Sequence, residues 1–154
     1  MNKSFSSRAF SAGLLVGTLD ILAASVQFYI KTGKDPLPVL KYIASGVFGA
    51  AALSGGTMMA VWGLLFHYFI ALSFTFLFFL LVKQFHSLLK YPVPAGIVYG
   101  VFIWSVMRFI VLPLSHVKMG PLVLKDAAIA AAILVACIGL PLAFLAKRIL
   151  KKDG

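Results

Sequence analysis

Polar positions along this chain gather in short clusters, and between them lie four long apolar runs. A helix needs about 20 apolar residues to cross the hydrocarbon core of a bilayer. Runs at about 9–30, 57–82, 93–114 and 127–146 reach that length and predict four transmembrane helices, an all-α polytopic membrane protein in a single domain. The first run is interrupted by Asp20, the second has His67 as its only ionisable group, and the third contains Arg108. The fourth is uncharged and contains Pro141, which predicts a kink. A fifth apolar stretch, Tyr42 to Leu53, is too short to span. Pro36 and Pro38 precede it and Ser54-Gly55-Gly56 closes it, the start and stop signals of a helix. It reads as a short helix over about 38–53, interfacial or re-entrant, that continues through the glycine pair into the second span. The plainer alternative is that it only caps the other helices.

Within the spans, small and polar residues recur at helical spacing. Gly13, Gly17, Asp20, Ala24 and Gln27 fall on one face of the first run, with Leu14, Leu15, Leu19, Ile21 and Leu22 directed elsewhere. Gly56, Ala60, Gly63, His67 and Ala71 repeat the pattern in the second. Gly96 and Gly100 form a GxxxG in the third, matching Gly13 and Gly17, and Ala128, Ala132 and Gly139 serve the fourth. Small residues let helices in lipid approach closely, so these positions are expected to pack protein against protein. Phe74, Phe76, Phe78 and Phe79 are expected to form a lipid-facing aromatic zone near the cytoplasmic end of the second span.

Composition strengthens the membrane assignment. The 154 residues are 62% hydrophobic and 12% charged, where a soluble domain is about a quarter charged. Mean hydropathy is +1.03, an excess that a small globule could not bury. The net charge of +10 comes from 14 Lys and Arg against four Asp. These bases sit in loops between apolar runs, where they meet anionic headgroups, and no nucleic-acid motif accompanies them. Membrane lipids, not nucleic acid, are the expected partners.

Four spans put both termini on the same side as the loop between spans two and three. That side carries Lys3, Arg8, Lys83, Lys90, Lys147, Arg148, Lys151 and Lys152; the other carries Lys31, Lys34, Lys41, Lys118 and Lys125. The positive-inside rule then places both termini in the cytoplasm of a bacterial inner (plasma) membrane, against the grain of the Lys31–Lys41 cluster. Lys3 and Arg8 before an apolar core, followed by Ala23-Ala24-Ser25, also resemble a signal peptide, but Asp20 inside that core argues against one.

The candidate chemistry is confined to Asp20, His67 and Arg108. A charge at the bilayer centre costs about 2.5–3.5 kcal/mol on insertion scales, so these groups should face protein or water and find partners. One expectation is structural: Asp20 pairs with Arg108, about 5 Å away along the membrane normal, with His67 alongside and Trp104 covering the guanidinium. The other is functional: Asp20 and His67 form a protonatable or cation-binding site tuned by Arg108. The lone Cys137 excludes an intrachain disulfide, and no base accompanies it in its span. His86 and His116 fall on opposite sides, which speaks against a three-histidine metal site. No catalytic, metal-binding or cofactor-binding residue is expected, and no enzyme.

Several strings together resemble a known group: Gly13 to Asp20, "IASGVFGAAALSGG" (Ile43 to Gly56), "GLLFHYFIA" (Gly63 to Ala71), Tyr99-Gly100, "VLPLS" (Val111 to Ser115) and "GLPLA" (Gly139 to Ala143). From about residue 10 to 146 the chain is similar to small uncharacterised bacterial inner-membrane proteins, loosely the YagU-like proteins. The resemblance implies a membrane protein with no assigned activity. It also implies a neutral amide in place of Arg108 in many members, which would make an Asp20–Arg108 pair peculiar to this chain. The leading expectation is a structural or accessory membrane protein, acting on lipids, a membrane-protein partner or a second copy, with no identified small-molecule ligand. The alternative is a small proton- or cation-linked transporter or channel using Asp20 and His67, and a membrane-embedded enzyme comes third.

Overall fold

A computed structural model of the chain describes residues 3–117 and 119–152, with side chains described over 6–117 and 119–150. Lys118 and the side chains of Lys3, Lys151 and Lys152, all used in the count of basic residues, lie outside the described residues.

The helices stop where the sequence supplies a reason. Helix α1 (Lys3–Thr32) ends at Gly33, whose φ of 65° belongs to the left-handed region that glycine adopts without strain. Asp35 accepts a hydrogen bond from the Leu37 backbone N–H at 2.7 Å and, with proline in the first turn, starts α2 (Leu37–Phe48). Gly49, with φ 70°, closes α2, its N–H donating to Ser45 O at 2.9 Å. A single turn, Ala51–Ser54, leads into α3 (Thr57–Gln84). A second single turn, Ser87–Lys90, leads into α4 (Pro92–Leu114), and α5 (Leu124–Leu150) completes the fold.

Helices α1, α3, α4 and α5 are each long and apolar enough to cross a membrane, and the described residues contain no strand. The architecture is therefore an all-α membrane fold of four spanning helices and one short one. Side chains such as Leu22, Val26, Phe69 and Val98 remain exposed on the spans, as lipid-facing positions would.

Two π-helical turns widen the spans, Met107–Val111 in α4 and Val135–Gly139 in α5. Each stands just before a helix-internal proline, Pro113 or Pro141. Proline offers no N–H and its ring crowds the carbonyl four residues back, so the preceding turn opens. The kink expected at Pro141 takes this form, and Pro113 repeats it.

Glycine sets the closest contacts. Gly13 and Gly17 of α1 face Leu72, Thr75, Tyr68 and Ala71 of α3. Gly96 and Gly100 of α4 meet the backbone of α5 at Gly139, Leu140 and Val135. Gly63, in the second turn of α3, abuts the backbone of Leu40, so α2 packs closely on the first part of α3. Phe48, at the far end of α2, also reaches α3, with ring centroids 5.9 Å from Trp62 and 5.8 Å from Phe66. Both contacts fall on the first half of α3. The other side of α2 reaches the end of α4, where the His116 N–H donates to Gly46 O at 3.0 Å.

Several expectations need correction. The apolar stretch 38–53 is not one helix running into the second span, because Gly49 reverses the chain and α2 stops at Phe48. Phe78 and Phe79 do not face lipid: both are buried, Phe78 against the Tyr99 ring at 4.6 Å, because α4 packs on that part of α3. Tyr99 fixes the contact by donating to Phe74 O at 2.6 Å. Ile21 is buried, whereas Ala128 and Ala132 are exposed, because the close approach of α4 and α5 begins further along, at Val135.

Candidate functional site

The tight seam between α1 and α3 brings Asp20 of α1 and His67 of α3 together. With no side chain at Gly17, the His67 imidazole reaches the α1 backbone, and Nε2 lies 2.8 Å from Gly17 O. A carbonyl only accepts, so Nε2 carries the hydrogen. A second bond, between Thr18 Oγ1 and the Tyr68 hydroxyl at 2.8 Å, flanks this one and holds the same register.

Asp20 follows Gly17 by one turn. Its Oδ2 stands 4.0 Å from His67 Nε2, close enough for an ion pair when the imidazole is protonated and too far for a hydrogen bond. Both side chains are largely buried, at 16% and 11% exposure, yet no donor among the described residues hydrogen-bonds to the Asp20 carboxyl group. Asp20 also lines a cavity of about 660 Å³. That volume suits a small organic molecule.

Five helices contribute to the cavity wall, and α2 lies across one end of it. Phe66, Phe74 and Trp104 line its sides, Tyr42 and Val39 come from α2, and Pro121 and Leu122 come from the segment before α5. Burial pushes the Tyr42 phenol above its ordinary range, while nearby Arg108 pulls the other way. Tyr42 therefore stays a neutral hydroxyl at physiological pH. Asp126, also on the wall, accepts from Lys31 Nζ at 2.8 Å and ties the head of α5 to the end of α1.

Arg108 lines this cavity without meeting Asp20. Its guanidinium donates to Met119 Sδ at 3.0 Å and to Gly120 O at 3.2 Å. The expected Asp20–Arg108 pair is thus replaced by a link from α4 to the segment before α5. Arg108 sits in the π turn ahead of Pro113, near the end of its helix, where its long side chain extends toward that segment. The Trp104 ring meets Phe109 edge-on at 5.8 Å, not the guanidinium. Of the glycines expected to pack helices, Gly13, Gly17, Gly63, Gly96 and Gly100 all lie at interhelix contacts, and Gly17 alone also takes part in the site.

Sequence reasoning found Asp20, His67 and Arg108 but missed Tyr42, Met119, Gly120 and the cavity role of Asp126. Tyr42 carried a usable signal, being the first polar tip in an otherwise apolar stretch. The described residues contain no cluster of three or more His, Cys, Asp or Glu that could hold a metal ion.

Comparison with family models, with curated proteins and with solved structures yields no match to this chain.

Proposed function

We propose that this is an integral protein of a bacterial inner membrane, with both termini in the cytoplasm, that works as a small proton- or cation-linked transporter or channel through Asp20 and His67. One observation carries the reading: within an apolar helix long enough to span, the largely buried Asp20 stands 4.0 Å from His67 on the wall of a cavity of about 660 Å³. Intramembrane carboxylates are costly and are kept where they move or hold something. Arg108, the one arginine on the cavity wall, is engaged with Met119 and Gly120 and leaves Asp20 with His67 as its nearest base. The Gly17 carbonyl fixes the His67 ring beside Asp20.

The test is modification by dicyclohexylcarbodiimide, an apolar reagent that attacks protonated carboxyl groups in lipid-accessible sites. Peptide mapping of protein treated in membranes should find the adduct at Asp20, absent in Asp20→Asn, and proteoliposomes should show proton movement that the reagent blocks. An unmodified Asp20 together with no proton movement would remove the transport reading.

A second reading, a structural or accessory membrane protein related to the YagU-like group, draws support from the backbone-close contacts of Gly96 and Gly139, which need no ligand. It expects proteoliposomes with no solute-dependent behaviour.

A further inference from the structure

The composition of the cavity wall specifies what it would hold. An apolar cavity whose wall carries a carboxyl group with no hydrogen-bonded partner offers a counter-charge to a cation. Its aromatic members, Phe66, Phe74, Trp104 and Tyr42, come from α2, α3 and α4 and so surround the space from different sides. Aromatic faces attract cations, and the attraction is strongest where water is excluded. Two basic side chains share the wall with Asp20, and neither hydrogen-bonds to it. His67 Nε2 bonds to Gly17 O, and the Arg108 guanidinium is turned to Met119 and Gly120.

We propose that the chamber binds a lipophilic monocation, an organic ammonium or phosphonium with an apolar body, whose charge sits against Asp20 in place of a proton. This inference rests on the transport reading above and names its substrate class. The exchange balances as one cation in and one proton out: protonated Asp20 releases its proton to solvent, and the carboxylate left behind pairs with the ligand. Because the two compete for the same carboxylate, affinity falls as pH is lowered. The groups that face this exchange are His67 on α3, Arg108 on α4, Tyr42 on α2 and Asp126 on α5, with Cys137 of α5 in electrostatic range of Asp20. Protonation of His67 acts in the same sense, adding a positive charge 4.0 Å from the carboxylate.

A cation and an anion of equal shape separate charge recognition from simple partitioning into an apolar space. Titration calorimetry on the purified full chain in lipid nanodiscs would use tetraphenylphosphonium and tetraphenylborate, against empty nanodiscs as the partition control. The expected result is saturable binding of the phosphonium alone, about tenfold weaker or more in Asp20→Asn. Its enthalpy should change with the ionisation heat of the buffer, which reports the released proton. Phosphonium should also protect Asp20 from carbodiimide in the wild-type protein, a readout that needs no variant to fold. Preference for the borate, or binding that Asp20→Asn leaves unchanged in a folded protein, overturns the proposal. Carbodiimide labelling of Asp20 without phosphonium binding sinks the substrate class and leaves the transport reading intact. Absence of both labelling and binding removes the two together.

Discussion

At the scale of single residues, Asp20 and Arg108 share a cavity but not a bond. If the distances found here govern their energetics, the two should be independent. Asp20→Asn, Arg108→Gln and the double variant should then give additive changes in unfolding stability, within about 0.5 kcal/mol, in a detergent denaturation series. A pair in direct contact would instead leave a lone buried charge in each single variant, and the double would recover much of the loss. Recovery of that kind would restore the structural ion pair. The sequence made Asp20 and His67 legible as neighbours because opposite chain directions and equal depth bring them level, and because Gly17 lies one turn before Asp20. The partners of Arg108 could not be read in the same way. They lie in an irregular segment with no periodic pattern, and the guanidinium has several ångströms of reach in which to find them.

At the scale of the helices, the seams differ in kind, and glycine substitutions should tell them apart. A Cβ on Gly96 would stand 2.8 Å from the Gly139 carbonyl oxygen, and one on Gly139 would collide with Gly96 O. Backbone cannot yield as a side chain can, so Gly96→Ala and Gly139→Ala should each cost about 1–3 kcal/mol. At Gly13 the nearest atom is the tip of the Leu72 side chain, at 2.7 Å, which can rotate away. Gly13→Ala should therefore cost less. Gly56 has open space around it and a φ of −68°, so Gly56→Ala should be close to neutral. Thermal unfolding of the four variants in one detergent would rank them, and a flat ranking would mean that the α4–α5 contact is looser than drawn. The four spans were readable because a twenty-residue apolar run has few other uses. The π turns were less so: proline announces that a helix must adjust, but whether it bends, breaks or widens depends on what packs against it. The end of α2 had its signal in Gly49, masked by the small residues on both sides that suit a continuous helix equally well.

The whole molecule is asymmetric across the membrane, and its orientation decides which compartment the chamber serves. Helix α2, the segment before α5 and the Lys31–Asp126 contact all belong to the end opposite the termini, and the cavity extends toward them. If the termini are cytoplasmic, α2 lines the cavity from the far side of the membrane. Lys31 and Lys34 before α2 and Lys41 within it set a basic cluster against that orientation. Single cysteines in a Cys137→Ser background would settle the matter. A cysteine at Lys34 should react with a membrane-impermeant maleimide in intact cells whose outer layers have been opened. One at Gln84 should react only after the inner membrane is permeabilised. The reverse pattern would turn the molecule over, with α2 and the segment tied to Arg108 then facing the cytoplasm. A bound cation would in that case enter from inside the cell, and the proton exchanged at Asp20 would be released there as well.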